Sequence, residues 1–298
     1  MSELNENFAS DISQNYVDLE SLRSTIKVEL NNSLTFENLG FSDIISSVVN
    51  YFSDGFKAFS NFFNKSDIIL SRNQPLPHFS KCEKSLKMVN DIIKQPGDLY
   101  GKVMDFKVPY LQGCVMQLDD LTNRLASLAP NHREIIMGYL NELDTIVSKL
   151  VSNADYLSGN REEELSEKGK EARDFVDKVK GLNEELFDRR SDKTDIRPIS
   201  QVIPNITSLG IIRDNLKELY NYADRDFLPK SISIANSIHL KLKHINKDSK
   251  ISKNNLKGVS ERLLLGAESL TYLGTYYYLI TQSILSFDAL IKTIDENR

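Results

Sequence analysis

Apolar side chains recur at helical spacing through most of this chain, and the C-terminal stretch shows the pattern most clearly. From Leu256 to Ile294 they follow one another at steps of three, four and seven residues, which places them on one stripe of a helix. No proline interrupts this stretch. A helix of that length extends about 60 Å, whereas the average helix has about 11–12 residues. The sequence therefore predicts a very long C-terminal helix, as found in bundles and coiled coils.

The rest of the chain repeats the pattern in shorter stretches, separated by prolines and polar breaks. We predict an all-α fold, an elongated bundle of long antiparallel helices. We expect no β-strand, because alternation with a period of two is nowhere sustained. The predicted helices cover residues 2–31, 41–64, 80–94, 98–128, 131–157, 160–188, 206–226, 230–246 and 252–295.

A linker is predicted where the apolar pattern stops. Pro198 and Pro204 lie there among charged residues and few apolar ones, which favours a linker over residues 189–205. The predicted organisation is then N-terminal amphipathic and aromatic-rich helices over 1–66, a central helical bundle over 80–188, this linker, and a C-terminal helical region over 206–298.

Composition and charge exclude several classes of protein. With 298 residues and 40% hydrophobic content the chain is a folded protein, and its net charge of −5 gives no overall positive field for nucleic acid.

The two cysteines, Cys82 and Cys114, fit no metal-ligand spacing and lie on apolar sides of predicted helices. We expect free, buried thiols and a reducing compartment. The N-terminus, MSELNENFASDISQNY, lacks the features of a secretory signal, so we expect none.

One segment has nearly the length of a membrane span. Between Glu268 and Asp288 there is no charged side chain, and about 20 apolar residues suffice to cross a bilayer. Serine and threonine are spread along this segment, however, and Tyr276, Tyr277 and Tyr278 lie in its middle. Interfacial aromatic residues collect at the ends of a span. We therefore interpret the segment as a buried bundle helix.

Motifs that carry catalysis or bind a cofactor are missing from the sequence. There is no Gly-x-Ser-x-Gly, no phosphate-binding P-loop and no dinucleotide fingerprint. The four histidines do not pair at metal-ligand spacing, and His132, near a predicted helix start, is expected to be exposed. The consecutive glutamates 162–164 point in different directions rather than towards one metal. We predict a non-enzymatic protein with no cofactor and no metal site.

The segment 41–64 has the densest aromatic stripe in the chain. Either its phenylalanines fill a core, or they form a contact face for another subunit or a membrane surface. The core interpretation is favoured, because Lys57 and Lys65 supply little positive charge for an interfacial helix. The side chains concerned are Phe52, Phe56, Phe59 and Phe63.

A basic tract lies between the last two predicted helices, opposed within it only by Asp248. It fits contact with a polyanion such as nucleic acid, contact with an acidic protein face, or a solvated turn. It contains no aromatic side chain that would stack on bases, which argues against recognition of single strands. Its lysines are Lys241, Lys243, Lys247, Lys250, Lys253 and Lys257.

Two stretches, FSDIISSVVNYFSDGFKAFSNFF and LGTYYYLITQSILSFDALIK, give the chain its texture, which is rich in asparagine, serine, isoleucine and lysine. In that texture it resembles virion structural proteins of large tailed bacteriophages. The resemblance implies a structural or assembly protein, located in the virion or in the cytoplasm of the infected host. Such a protein contacts other protein subunits through helix faces, by self-association or in a larger assembly. No functional residue is transferred by it.

Two other functions remain open at the level of sequence. One is a soluble helical adaptor or inhibitor that binds a host protein. The other is a helical membrane-active protein; it resembles pore-forming toxins, although the strongly apolar hairpin that such toxins insert is not clear here.

Overall fold

The computed structural model describes residues 77–94, 103–111, 113–152, 165–186, 196–222, 227–244 and 253–297, together with 46, 49, 50, 52–54 and 56. The predicted all-α fold and the very long C-terminal helix are confirmed. The helices are α1 (Pro77–Ile93), α2 (Leu118–Leu128), α3 (His132–Ser152), α4 (Glu167–Leu186), α5 (Ile199–Val202), α6 (Ser208–Tyr222), α7 (Phe227–Leu242) and α8 (Lys253–Glu296). Two short strands, β1 (Lys107–Pro109) and β2 (Ile196–Pro198), pair with each other.

The predicted helix 2–31 lies outside the described residues. Within the predicted helix 41–64, the described residues are helical. Side chains define two of the helix starts. Ser166 precedes α4 and accepts a hydrogen bond from the Gly169 N–H at 3.0 Å, as an N-cap does. Asn205 accepts one from the N–H of Ser208, the first residue of α6, at 3.1 Å.

The chain divides into two compact units. The helices α3, α4, α7 and α8 contribute residues to both of them, α3 and α7 only their first residues to the second. The first unit comprises Met1–Leu70, Glu134–Val176 and Leu228–Gly274, and the second comprises Ser71–Arg133, Asp177–Phe227 and Thr275–Arg298.

The core of the first unit is built from one apolar stripe of each contributing helix. Its fully buried side chains come from α3, α4, α7 and the N-terminal half of α8, and they include Leu140, Leu143, Val147, Ala172, Ala235, Ile238, Leu265, Leu270 and Leu273. In the second unit, α6 packs against both α1 and α2. The apolar faces of these three helices supply the buried side chains Val89, Ile92, Leu118, Leu121, Leu125, Leu209, Ile212 and Leu216.

The prediction of no β-strand, and of one helix over 98–128, is wrong. Residues 107–109 form β1, antiparallel to β2, and helical structure resumes only at Leu118. Pro109 explains the difference, because proline has no N–H to donate and its ring drives the preceding residue into extended conformation. Val108, in the strand, and Tyr110, just after it, lie two residues apart and are both buried, as alternation in extended backbone allows.

The register of the ribbon turns both prolines outwards. Val108 lies opposite Arg197, Pro109 opposite Ile196, and Lys107 opposite Pro198. The Ile199 N–H donates to the Phe106 carbonyl at 2.9 Å, so by alternation Val108 and Arg197 are the next hydrogen-bonded pair. The backbone groups of Pro109 and Pro198 therefore face the two outer edges.

The predicted linker 189–205 contains β2 and α5 in its described part. Ile199, Val202 and Ile203 are fully buried there, so the described part of this stretch belongs to the core of the second unit. Pro198, one of the residues that predict the linker, occupies an edge position of the ribbon, and the linker as a domain boundary stays a prediction. The other predicted domain boundaries stay predictions.

The middle of the long helix α8 has hardly any solvent-facing side. From Arg262 to Ile280 every residue except Thr271 is buried, including polar ones. This explains why its apolar stripe is accompanied by apolar residues on the other faces, since a helix that is hydrophobic all round is an interior helix. No described helix combines the length and apolar composition needed to cross a bilayer.

Candidate functional site

The aromatic segment contributes Phe52 to the core of the first unit. Its side chain is fully buried, and a Cβ added at Gly266 of α8 would lie 3.2 Å from its ring. Phe56 is half-buried and stacks on His239 of α7, with ring centroids 5.8 Å apart. Phe52 is thus placed as a core side chain, whereas Phe56 is only partly removed from solvent. Phe59 and Phe63 lie outside the described residues, so their role stays a prediction.

A serine–histidine pair lies beside this stack. Ser53 Oγ is 2.8 Å from His239 Nδ1, and the same hydroxyl donates to the Val49 carbonyl at 2.8 Å. Because a carbonyl can only accept, the hydroxyl proton lies on that bond, and His239 Nδ1 must be the donor to Ser53. The histidine therefore does not act as a base towards Ser53 in this arrangement. The pair joins the segment 52–54 to α7.

Lys241, the first lysine of the basic tract, is bound within the protein. Its Nζ lies 2.8 and 2.7 Å from the two carboxylate oxygens of Asp144 and 2.9 Å from Ser148 Oγ, both on α3. Ser237 of α7 also donates to Asp144, at 3.0 Å. The positive charge of Lys241 is thus neutralised in a bond between α3 and α7, and it contributes little to attracting a polyanion.

The other lysines of the tract differ in where they lie. Lys243 is exposed just after α7. Lys253 and Lys257 lie in the first turns of α8, while Lys247 and Lys250 lie outside the described residues. Contact of the tract with a polyanion stays a prediction.

A buried ion pair crosses the first unit. Glu268 of α8 is 5% exposed, and Arg173 of α4 donates to its Oε2 at 3.1 Å. Nearby in the same unit, the Tyr139 hydroxyl donates to the Arg262 carbonyl at 2.7 Å. Burial is the main cause that raises the pKa of Tyr139, so this hydroxyl stays a neutral donor. These bonds connect α3, α4 and α8.

The two cysteines are free and buried, as predicted. Burial raises the pKa of Cys82 to about 12, with Asp288 as a second cause, and burial also raises the pKa of Cys114. A thiol with a raised pKa is a poor nucleophile, because the thiolate is the reactive form. Around Cys114, Tyr110 donates to the Met116 carbonyl at 2.7 Å and Arg197 donates to the Cys114 carbonyl. The surroundings of this cysteine are therefore occupied by bonds that hold the ribbon.

The expectation that His132 is exposed is wrong. Its side chain is 2% exposed in the second unit, packed among the rings of Phe227, Tyr276 and Tyr277. We call these four residues the His132 cluster. In the sequence, His132 follows Pro130 and Asn131, which suggested a solvated turn. The available signal was elsewhere: adjacent tyrosines in an uncharged, buried helix need partners for their hydroxyls.

The polar groups assembled by the fold do not form a recognisable catalytic or metal centre in the described part of the chain. Among those residues, no group of three or more His, Cys, Asp or Glu side chains is placed to hold a metal ion. The glutamates 162–164 lie outside them. The described polar side chains instead form hydrogen bonds and ion pairs between helices.

No protein-family model, no curated protein and no solved structure matches this chain.

Proposed function

We propose that the protein is a non-enzymatic assembly component that binds other protein subunits through its helix faces. One observation carries this proposal. The polar clusters in the described residues are bonded between helices of the chain itself, whereas large apolar side chains are left on the surface. Val115, Ile196 and Ile211 are each more than half exposed, and the exposed set is completed by Phe106, Val151 and Leu240.

The exposed apolar side chains supply the kind of affinity that such a role needs. Burying a side chain of this type contributes about 1.5–3 kcal/mol, so three or four of them in one interface give useful binding free energy. Charged residues beside them set the register of the contact. For the assembly itself we propose a phage particle, which rests on the resemblance of sequence texture alone.

The direct test is the behaviour of the full chain in solution and its location. We expect light scattering over a concentration series to show a mass that rises above that of the monomer. We also expect mass spectrometry of purified particles to find the protein there rather than in the soluble fraction. A strictly monomeric protein absent from any particle contradicts the proposal. A monomer or dimer that captures a single host protein supports the alternative, a soluble adaptor or inhibitor.

A substitution test asks whether the exposed apolar side chains make the contact. We expect the triple variant Val115→Thr, Ile196→Thr, Ile211→Thr to associate at least tenfold more weakly, which corresponds to about 1.4 kcal/mol. Its melting temperature should stay unchanged, because these side chains are exposed. The matched control changes the exposed polar residues Asn123 and Gln201 to serine. Equal association of the triple variant and the control rejects these side chains as the contact.

A further inference from the structure

The His132 cluster joins three helices inside the second unit. The imidazole of His132, the first residue of α3, lies 5.1 Å from the Tyr276 ring and 5.9 Å from the Tyr277 ring, both on α8. It also lies 5.5 Å from the ring of Phe227, the first residue of α7, in an edge-on arrangement. Aromatic rings thus enclose a titratable group that is almost completely removed from water.

The hydrogen bonds of His132 define which nitrogen holds the proton. Nδ1 lies 2.7 Å from the Ala129 carbonyl, which can only accept, so Nδ1 carries the hydrogen. Nε2 of the neutral ring is then an acceptor, and the Tyr277 hydroxyl donates to it at 3.0 Å. A second proton on Nε2 would turn this nitrogen into a donor, so the Tyr277 hydroxyl would have to accept the hydrogen bond instead of donating it. It would also place a positive charge among three aromatic rings.

We propose that the His132 cluster is a pH-sensitive switch, closed while the imidazole is neutral and opened by its protonation, which separates the start of α7 from α8. The inference is independent of the proposed assembly role. It rests on the enclosed ring, on its fixed tautomer, and on the position of the ring at a junction of three helices.

The charges around the ring set the direction of the effect. Burial lowers the pKa of His132 from 6.5 to about 4; its hydrogen bond to the Ala129 carbonyl raises it, and Arg133 on the same helix lowers it. Among the described residues, the titratable groups facing the ring from α8 are Tyr276 and Tyr277, and Glu218 of α6 acts on Tyr276. From α7 the facing residue is the uncharged Phe227. Residues 224–226, two aspartates and an arginine, precede it and lie outside the described residues.

The direction of the pH effect follows from the difference in proton affinity between the open and the closed state. An opened, solvated imidazole regains a pKa near 6.5 and binds a proton more tightly than the closed one, so acid favours the open state. For pKa values of 6.5 and about 4, the ratio of open to closed rises about twentyfold between pH 7 and pH 5. The closed state is fully favoured above pH 6.5 and loses this advantage as pH falls towards 4.

Hydrogen exchange of the full chain tests the switch. We expect the protection factors of the amides of residues 276–280 to fall about twentyfold from pH 7 to pH 5, while those of residues 235–242 in the first unit change little. In His132→Asn, whose side-chain amide can still donate to Ala129 but does not titrate, the fall should disappear. The control is His244→Asn, an exposed histidine, which should behave as the unaltered protein. An equal fall in His132→Asn overturns the proposal.

A second measurement does not depend on whether the variant folds. The imidazole resonances of His132 in the unaltered protein, followed by NMR against pH, should titrate with a midpoint between about 4 and 6.5, because a ring that opens on protonation titrates above its closed value. A midpoint at 6.5 or above, or protection at residues 276–280 that does not change with pH, overturns the proposal.

Discussion

Among the described residues, fully buried polar side chains are hydrogen-bonded to backbone carbonyls more often than to one another. Tyr110, Tyr139 and Tyr276 each donate a buried hydroxyl to a carbonyl, and buried serines of α8 such as Ser269 and Ser283 donate to the carbonyl four residues earlier. A buried donor left without an acceptor costs about 1–3 kcal/mol. Substituting one of these buried polar residues is therefore expected to lower the free energy of unfolding. Close packing makes the stability sensitive at a buried glycine as well.

Gly266 allows α8 to approach its neighbours closely. A Cβ added there would lie 2.5 Å from Leu143 Cδ2 and 3.2 Å from the Phe52 ring. We expect Gly266→Ala to lower the free energy of unfolding by up to about 2 kcal/mol, because overpacking costs about 1–3 kcal/mol against a helix-propensity gain of about 1 kcal/mol. At Gly258, in the same helix, a Cβ would meet no described residue within 4 Å, so Gly258→Ala should raise it by about 0.5–1 kcal/mol. Urea denaturation measures both, and equal effects would refute the close approach.

The ion pair of Glu268 gives a second prediction for single residues. Removing one partner of a buried pair costs about 3–5 kcal/mol, and the Arg173 side chain, which is 32% exposed, places Arg173→Met at the lower end, about 3 kcal/mol. Glu268→Gln should cost less, because the amide keeps a hydrogen-bonding group without a buried charge. The double variant should be less destabilised than the sum of the two. Strict additivity in denaturant unfolding would show that the pair contributes no coupling.

At the scale of elements, the end of α2 is completed by side chains from other helices. The last four carbonyls of a helix have no partner within it. Tyr276 of α8 donates to the carbonyl of Leu125, in the last turn of α2, at 3.0 Å, and His132 of α3 bonds to the Ala129 carbonyl just beyond. The turn between α2 and α3 is thus fixed by one hydrogen bond from a distant helix, by the local bond of His132, and by the Ala129 N–H, which donates to the Ala126 carbonyl at 3.1 Å.

Removing the Tyr276 hydroxyl tests this. We expect Tyr276→Phe to lower the free energy of unfolding by about 1–2 kcal/mol, because the ring still packs while the Leu125 carbonyl loses a donor. Hydrogen exchange should locate the loss at the end of α2. Tyr139→Phe, whose hydroxyl also donates to a carbonyl but in the first unit, is the matched control and should leave α2 protected. Unchanged protection of α2 in Tyr276→Phe would mean that this bond is not needed there.

The sequence predicted those elements whose apolar period is long and uninterrupted. The helices α3, α4, α6, α7 and α8 lie where a 3.6-residue stripe predicts them. The ribbon cannot be predicted from the sequence, because each strand has three residues, too few to reveal a period of two, and because prolines usually indicate breaks. The His132 cluster cannot be predicted from the sequence for another reason. Its members are separated by up to 145 residues in the chain, and only the tertiary fold brings them together.

At the scale of the whole molecule, α8 supplies part of the core of each unit. Residues up to Gly274 belong to the first and those from Thr275 to the second. We expect Gly274→Pro to destabilise both units by about 3 kcal/mol or more, because proline removes the bond to the Leu270 carbonyl and clashes with it. Loss of amide protection in both α7 and α6 would show this. Gly274→Ala, which keeps the N–H, is the control; damage confined to one unit contradicts the prediction.

The two prolines of the ribbon have a consequence for how the protein behaves among copies of itself. A strand edge with free N–H groups is a template for another strand, and growth of that kind leads to aggregates. Pro109 and Pro198 each remove a donor from one outer edge. A third strand added on either side would find a gap in its ladder of hydrogen bonds. The molecule can thus present apolar side chains beside its only described sheet and still leave that sheet closed to extension at two strands.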